Sequence, residues 1–202
     1  VDFGVRDPWC VLFAARAPDR RMFLYREFFA AGVEVPTQAQ RIRLTVEEHE
    51  ERLAVLIGDP AGFNMRANLT VSDADVYRRH GVIVTRGGNK RQQGWRRISE
   101  LLTNTLDDGF PQLVVLEGAC PNLVRTLPAM LTDRLDHEDI SQEHGRADPR
   151  NPRSIRDDPG DVLRYLCGPF AAPEQDLRPS EIESRMGDEP ASDMNQSFIT
   201  SE

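Results

Sequence analysis

Leu53-Ala54-Val55-Leu56-Ile57-Gly58-Asp59-Pro60 is a short, continuous apolar run that stops at a carboxylate. A run of this kind marks a strand buried on both faces, as in a parallel sheet. Its end places Asp59 just past a strand C-terminus. In open α/β sheets that edge is where ligands bind. Two other short motifs carry acids at the far ends of the core, Val1-Asp2-Phe3-Gly4 and Asp157-Asp158-Pro159-Gly160-Asp161-Val162-Leu163-Arg164-Tyr165. A fold that gathers these carboxylates makes an oxygen-rich cage suited to Mg²⁺ or Mn²⁺, the constellation a two-metal nuclease needs.

The elements around the three motifs are legible in outline. Residues 11–15 and 22–29 are β-rich runs separated by Ala17-Pro18-Asp19-Arg20, which reads as a hairpin. Residues 36–52 are helix-permissive with a weak apolar stripe, and residues 72–80 read as a short helix capped by Ser72 and ended by Gly81. Val82-Ile83-Val84 reads as a strand, and Gly87-Gly88-Asn89 as a loop delivering Lys90 and Arg91. Residues 95–106 follow as an amphipathic helix, 112–116 as a strand and 120–131 as a helix opened by Pro121. Residues 133–156 are polar and read as a long loop. Residues 158–167 read as a helix, with Pro159 in its first turn and Asp158 placed to cap it. This order gives an α/β mixed sheet with helices on both faces.

Composition narrows the function classes. The 202 residues suffice for one α/β domain, here 1–170. Residues 171–202 are acidic and poor in large apolar side chains, the composition of a disordered tail. No run approaches the ~20 apolar residues of a membrane span, and no secretory leader is visible. The chain begins without Met and reads as an excised fragment. Cys10, Cys120 and Cys167 fit neither a zinc spacing nor a disulfide framework and read as buried small hydrophobes in a reducing cytosol. His49, His80, His137 and His144 also lack zinc spacing, and no phosphate-binding Gly-x4-Gly-Lys-Ser/Thr or nucleophilic Gly-x-Ser-x-Gly motif occurs.

The net charge of −8 is unevenly spread. The tail holds eight acids against Arg178 and Arg185. Residues 78–97 hold seven basic side chains and no acid. A phosphate backbone reads such a local stripe rather than the global sum, although a solvated face has the same composition. Asp158 and Asp161, three apart, share a helix face, and Asp157 and Asp161 nearly do. The bland readings are an N-cap for Asp158, a first-turn acid for Asp161, and turns for Asp2 and Asp59.

The ordered set of motifs resembles the nuclease domain of phage large terminase subunits, a branch of the RNase H-like superfamily. The resemblance runs from Val1-Asp2-Phe3-Gly4 with Asp7-Pro8, through Glu27, Gly58-Asp59-Pro60-Ala61-Gly62 and Asn89-Lys90-Arg91 with Gly94. It continues in Cys120-Pro121-Asn122-Leu123 and closes on Asp157-Asp158-x-x-Asp161-Val-Leu-Arg-Tyr, covering residues 1–168. Where the family often has His or a second Asp, this chain has Asp158.

The resemblance implies an RNase H-like mixed sheet and a DNA endonuclease that cuts concatemeric genome DNA during viral packaging. Asp2, Asp59, Asp158 and Asp161 would be its catalytic metal ligands, with Asp157 in reserve. Two Mg²⁺ or Mn²⁺ ions about 3.5–4 Å apart would serve an in-line displacement. Arg86, Lys90 and Arg91 would hold double-stranded DNA by its phosphates, without reading sequence. The implied partners are a terminase ATPase domain not contained in these residues, a small terminase subunit and a portal, in the host cytoplasm. The alternatives are another RNase H-like nuclease, such as a Holliday-junction resolvase, and a non-catalytic DNA-docking module.

Overall fold

The structure, a computed structural model, describes residues 1–65, 71–130 and 157–168. The polar segment 133–156, the tail 171–202, the domain boundary at 170, His137 and His144 lie outside those residues. In chain order the described elements are β1 (Asp2–Phe3), β2 (Trp9–Arg16), β3 (Met22–Ala30), α1 (Val35–Glu48), β4 (Ile57–Gly58), a 3₁₀ turn (Pro60–Phe63) and α2 (Asp73–Arg79). They continue with β5 (Thr85–Arg86), α3 (Arg91–Thr103), β6 (Leu113–Val115), α4 (Pro121–Thr126), a second 3₁₀ turn (Leu127–Ala129) and α5 (Asp158–Cys167). No described helix is long and apolar enough to cross a membrane.

The sheet is mixed. Strands β1, β2 and β3 pair antiparallel in sequence order, and β6 adds parallel to β3. Strands β4 and β5 form a separate parallel pair. Val1 joins the two. Its nitrogen donates to the Ile57 carbonyl, and the Asp59 N–H donates to the Val1 carbonyl at 2.9 Å. This is the slanted pattern of a parallel ladder, so β1 runs alongside β4.

Alternate residues of β2 enter two separate cores, as a pleated strand requires. Trp9, Val11 and Phe13 pack with Val1, Phe3, α1 residues Ala39 and Ile42, and Tyr77 of α2. Cys10 and Leu12 pack with Ile98 and Leu101 of α3, Leu123 of α4, and Val162 and Leu163 of α5. A bulge in β3 keeps this sorting consistent. Phe13 faces Arg26 while Ala14 faces Leu24, so Tyr25 is surplus. Leu24 and Glu27, three residues apart, therefore lie on the same side. There the Glu27 carboxylate accepts the Asn122 and Leu123 N–H groups at 2.9 and 3.0 Å, satisfying the first turn of α4.

Several boundaries differ from the sequence reading. The apolar run 53–57 is not a five-residue strand: Leu53 is 42% exposed, and β4 is only Ile57–Gly58. Its partners begin late, since the Thr85 N–H meets the Leu56 carbonyl and Val1 meets Ile57 and Asp59. The strand expected at 82–84 lies at Thr85–Arg86. Val82 is tied back to the end of α2 by a bond to the Tyr77 carbonyl, and Ile83 faces solvent. Helix α3 starts at Arg91 rather than 95 and ends at Thr103 rather than 106. Helix α4 stops at Thr126 and tightens into the 3₁₀ turn containing Pro128, whose ring nitrogen has no proton to donate. Helix α1 stops at Glu48 rather than 52, while the hairpin, β6, and α2 with its Ser72–Asp75 capping box are where the sequence puts them. All three cysteines are buried, and burial pushes each thiol pKa up.

Gly62 closes the 3₁₀ turn onto Phe3, and a Cβ there would stand 2.1 Å from the Phe3 ring. Gly62→Ala is expected to destabilise the protein by about 1–3 kcal/mol through overpacking. Gly88→Ala, with nothing within 4 Å of the added carbon, should stay within about 0.5 kcal/mol of wild type. Urea unfolding midpoints measure both.

Candidate metal centre

The Val1 seam sets the first two acids. With Val1 bridged to Gly58, the next residues on each strand, Asp2 and Asp59, lie side by side on neighbouring strands about 4.8 Å apart. Val1 and Phe3 belong to the first core, so Asp2 points the other way, with its cross-strand partner Cys10, toward α5. Asp59 leaves the strand in an Asx turn, its Oδ1 accepting the Ala61 N–H at 3.0 Å. The turn reading of Asp59 is therefore correct and coexists with a place at the strand edge.

Helix α5 packs against β1, β2 and β4 and supplies the other two acids from its first turns. Asp157, not Asp158, occupies the N-cap position, and its side chain makes no capping bond. Asp158 is the first helical residue, which corrects the capping role read from sequence. Asp161 sits further in, its N–H donating to the Asp157 carbonyl at 2.9 Å.

Electrostatics couple these groups. Burial, reinforced by the charges of Asp158, Asp59 and Asp161, pushes the Asp2 carboxyl up from 3.8 to about 7. Burial also raises Asp161, opposed by Arg164 and Arg91 and reinforced by Asp157. Acids crowded into a low-dielectric site behave this way when no cation balances them. Among the described residues, no three His, Cys, Asp or Glu side chains converge closely enough to form a ready-made ion cage. Asp161 Oδ1 accepts from Arg164 Nε at 3.0 Å, and Asp59 Oδ1 accepts from the Tyr165 hydroxyl at 3.1 Å. The donor set of hard carboxylate oxygens nonetheless fits Mg²⁺ or Mn²⁺ by chemistry.

Arg164 and Tyr165 are the residues the sequence reading missed. Arg164 is a nearly fully buried cation, lying over the Tyr165 ring at 4.3 Å and paired with Asp161. Its stem crosses α3 at Gly94, where a Cβ would stand 2.3 Å from Arg164 Cγ. Helical spacing carried the signal, because Arg164 is i+3 and Tyr165 is i+4 from Asp161.

The basic residues border this acidic site. Arg86 ends β5 exposed, donating to the Pro60 carbonyl and to Asn64 Oδ1 at 3.3 Å each, with its guanidinium 5.6 Å from the Phe63 ring centre. It is thus engaged with the turn that follows Asp59. Lys90 is exposed at the N-cap position of α3, and the exposed Arg91 begins that helix, close enough for its charge to act on Asp161.

No family model and no curated protein matches the chain. Among solved structures it is similar to the large terminase nuclease domain from bacteriophage SPP1, crystallised with bound Mn. The TM-score is 0.50 with 19% identity, over 81% of this chain and 80% of that one. At that identity the likeness is one of fold. The chain has the fold of a phage terminase nuclease domain, and the resemblance read from the motifs is borne out at that level.

A carboxyl whose folded pKa lies near 7, against 3.8 in the unfolded chain, favours unfolding above pH 7 and has no effect on stability below about pH 4. Asp2→Asn is therefore expected to raise the melting temperature in metal-free buffer at pH 8, with the gain vanishing toward pH 4. Thermal unfolding of both proteins across that range measures it.

Proposed function

We propose that this chain is the metal-dependent endonuclease domain of a viral DNA-packaging terminase, hydrolysing phosphodiester bonds with two divalent ions. The observation that carries the reading is the coupling of Asp2 to Asp59, Asp158 and Asp161 at the C-terminal edge of β4. A half-buried cluster of acids is costly for a fold unless a cation is part of its working state. The shared fold with a terminase nuclease domain supports the same reading.

In this reading Asp2, Asp59, Asp158 and Asp161 hold Mg²⁺ or Mn²⁺, with Asp157 in reserve. When bound, the ions supply activation of a water and stabilisation of the leaving 3′ oxygen. The chain supplies position. Asp2 and Asp59 present oxygens from adjacent strands, and Asp158 and Asp161 present theirs from the helix above. Arg86, Lys90 and Arg91 line the approach and hold the phosphates of double-stranded DNA, orienting the backbone without reading its sequence. Low sequence preference suits an enzyme that cuts a concatemer when a capsid is full.

The wider assignment follows the same reading. A mixed sheet with helices on both faces forms the nuclease domain over 1–170, and 171–202 forms a separate acidic tail. An ATPase domain, a small terminase subunit and a portal are the partners, in the host cytoplasm.

Plasmid incubated with this chain in Mn²⁺, in Mg²⁺ and in EDTA tests the proposal. Nicking is expected with either metal, should be absent in EDTA, and should fall at least about 100-fold in Asp59→Ala. Cleavage that persists in EDTA, or in Asp59→Ala, contradicts the carboxylate–metal mechanism. DNA binding without cleavage in any metal points instead to a docking module. A strong preference for four-way junctions over linear duplex points to a resolvase.

A further inference from the structure

We propose that Tyr165 is a positioning residue of the metal centre, its hydroxyl fixing the Asp59 carboxylate so that Oδ2 is the oxygen presented to a divalent cation. The inference rests on the nuclease reading and deepens it. Tyr165 lies seven residues after Asp158 and four after Asp161, so all three project along one side of α5. Its ring is buried, 7% exposed. The Arg164 guanidinium lies 4.3 Å from the ring centre. The main chain of Gly87 comes so close that an added Cβ would stand 2.9 Å from Tyr165 Cδ1 and 2.8 Å from the Gly58 carbonyl oxygen. The ring therefore has little freedom to move.

The hydroxyl donates to Asp59 Oδ1 at 3.1 Å, and the Ala61 N–H donates to the same oxygen at 3.0 Å. Two donors on one oxygen select one rotamer of the carboxylate and leave Oδ2 outside both bonds. The bond also spans from helix to strand. It couples the element carrying Asp158 and Asp161 to the element carrying Asp59 and so sets the separation of two groups of ligands. Partners of this outer kind govern how well ligands are aimed, and losing one weakens metal affinity about 10-fold or more.

A role in packing alone makes a different prediction. Tyr165→Phe keeps the ring and its contacts and deletes only the hydroxyl. The variant is expected to retain the wild-type circular dichroism and to melt within a few degrees of it. Its Mn²⁺ dissociation constant, read from the electron paramagnetic resonance signal of free Mn²⁺, should rise about 10-fold. The Mn²⁺ concentration giving half-maximal plasmid nicking should rise in step. At saturating Mn²⁺ the KM for plasmid should be unchanged and the rate restored. On an Asp59→Asn background, Tyr165→Phe should weaken Mn²⁺ binding no further, because the partner it aims has lost its charge.

Wild-type Mn²⁺ affinity in Tyr165→Phe overturns the positioning role while leaving the nuclease reading intact. So does an equal loss on the Asp59→Asn background. Wild-type protein that binds no Mn²⁺ overturns both. A rate loss that excess Mn²⁺ does not restore also rejects the proposal, since positioning of a ligand acts through occupancy.

Discussion

Everything at the candidate site depends on two main-chain hydrogen bonds around Val1. One residue of ladder joins an antiparallel meander to a short parallel pair. Without it, β4 and β5 would be a two-stranded ribbon of two residues each, too short to hold a register alone. With it, the start of β1 lies level with the end of β4. The first core then locks the seam, with Phe3 against Tyr77 at 5.1 Å and against Phe63 at 6.5 Å between ring centres. Residues that look like ordinary packing thus decide where two carboxylates sit.

One of the acids, Asp161, is restrained by a neighbour on its own helix. A guanidinium as buried as that of Arg164 is stabilising only with a charge partner and good geometry. Asp161 gives it both, at 3.0 Å on an exposed-to-buried boundary. Arg164 therefore anchors α5 to α3 while fixing one acid. Glu27 does something related outside the site. It accepts the open amides of α4, so this carboxylate has a structural task in the fold.

The sequence revealed elements better than edges. Hairpin, capped helix α2 and helix α5 were legible because their signals are local: β-rich runs around a Pro-Asp turn, a capping Ser72 with Gly81 at the far end, a first-turn proline. The strands β4 and β5 were displaced because their extent is set by partners distant in sequence. Val1 and Thr85 determine that Leu53 is loop and Ile57 is strand, and no window around Leu53 contains that information. The acids Asp2, Asp59, Asp158 and Asp161 were named from motif order, and the structure adds their mutual influence on Asp2. Arg164 and Tyr165 were quoted as part of a motif without a role, since their burial and their partners, Asp59 just past β4 and the Gly88 carbonyl, appear only once α5 is docked.

Strand β3 carries one residue too many, and that surplus acts as a half-period slip. Before Tyr25 the strand offers Met22 and Leu24 to the core that β6 closes; after it, Glu27 and Phe29 are turned to that same side. An uninterrupted strand would have to choose, presenting either the apolar pair or the carboxylate there, since residues an odd number apart point oppositely. The slip lets one strand serve two neighbours with incompatible phases. It also makes the strand's length discrete. Loss of a single residue at this point would invert one half of β3 against the other, so side-chain substitutions are tolerable in a stretch where a one-residue deletion is not.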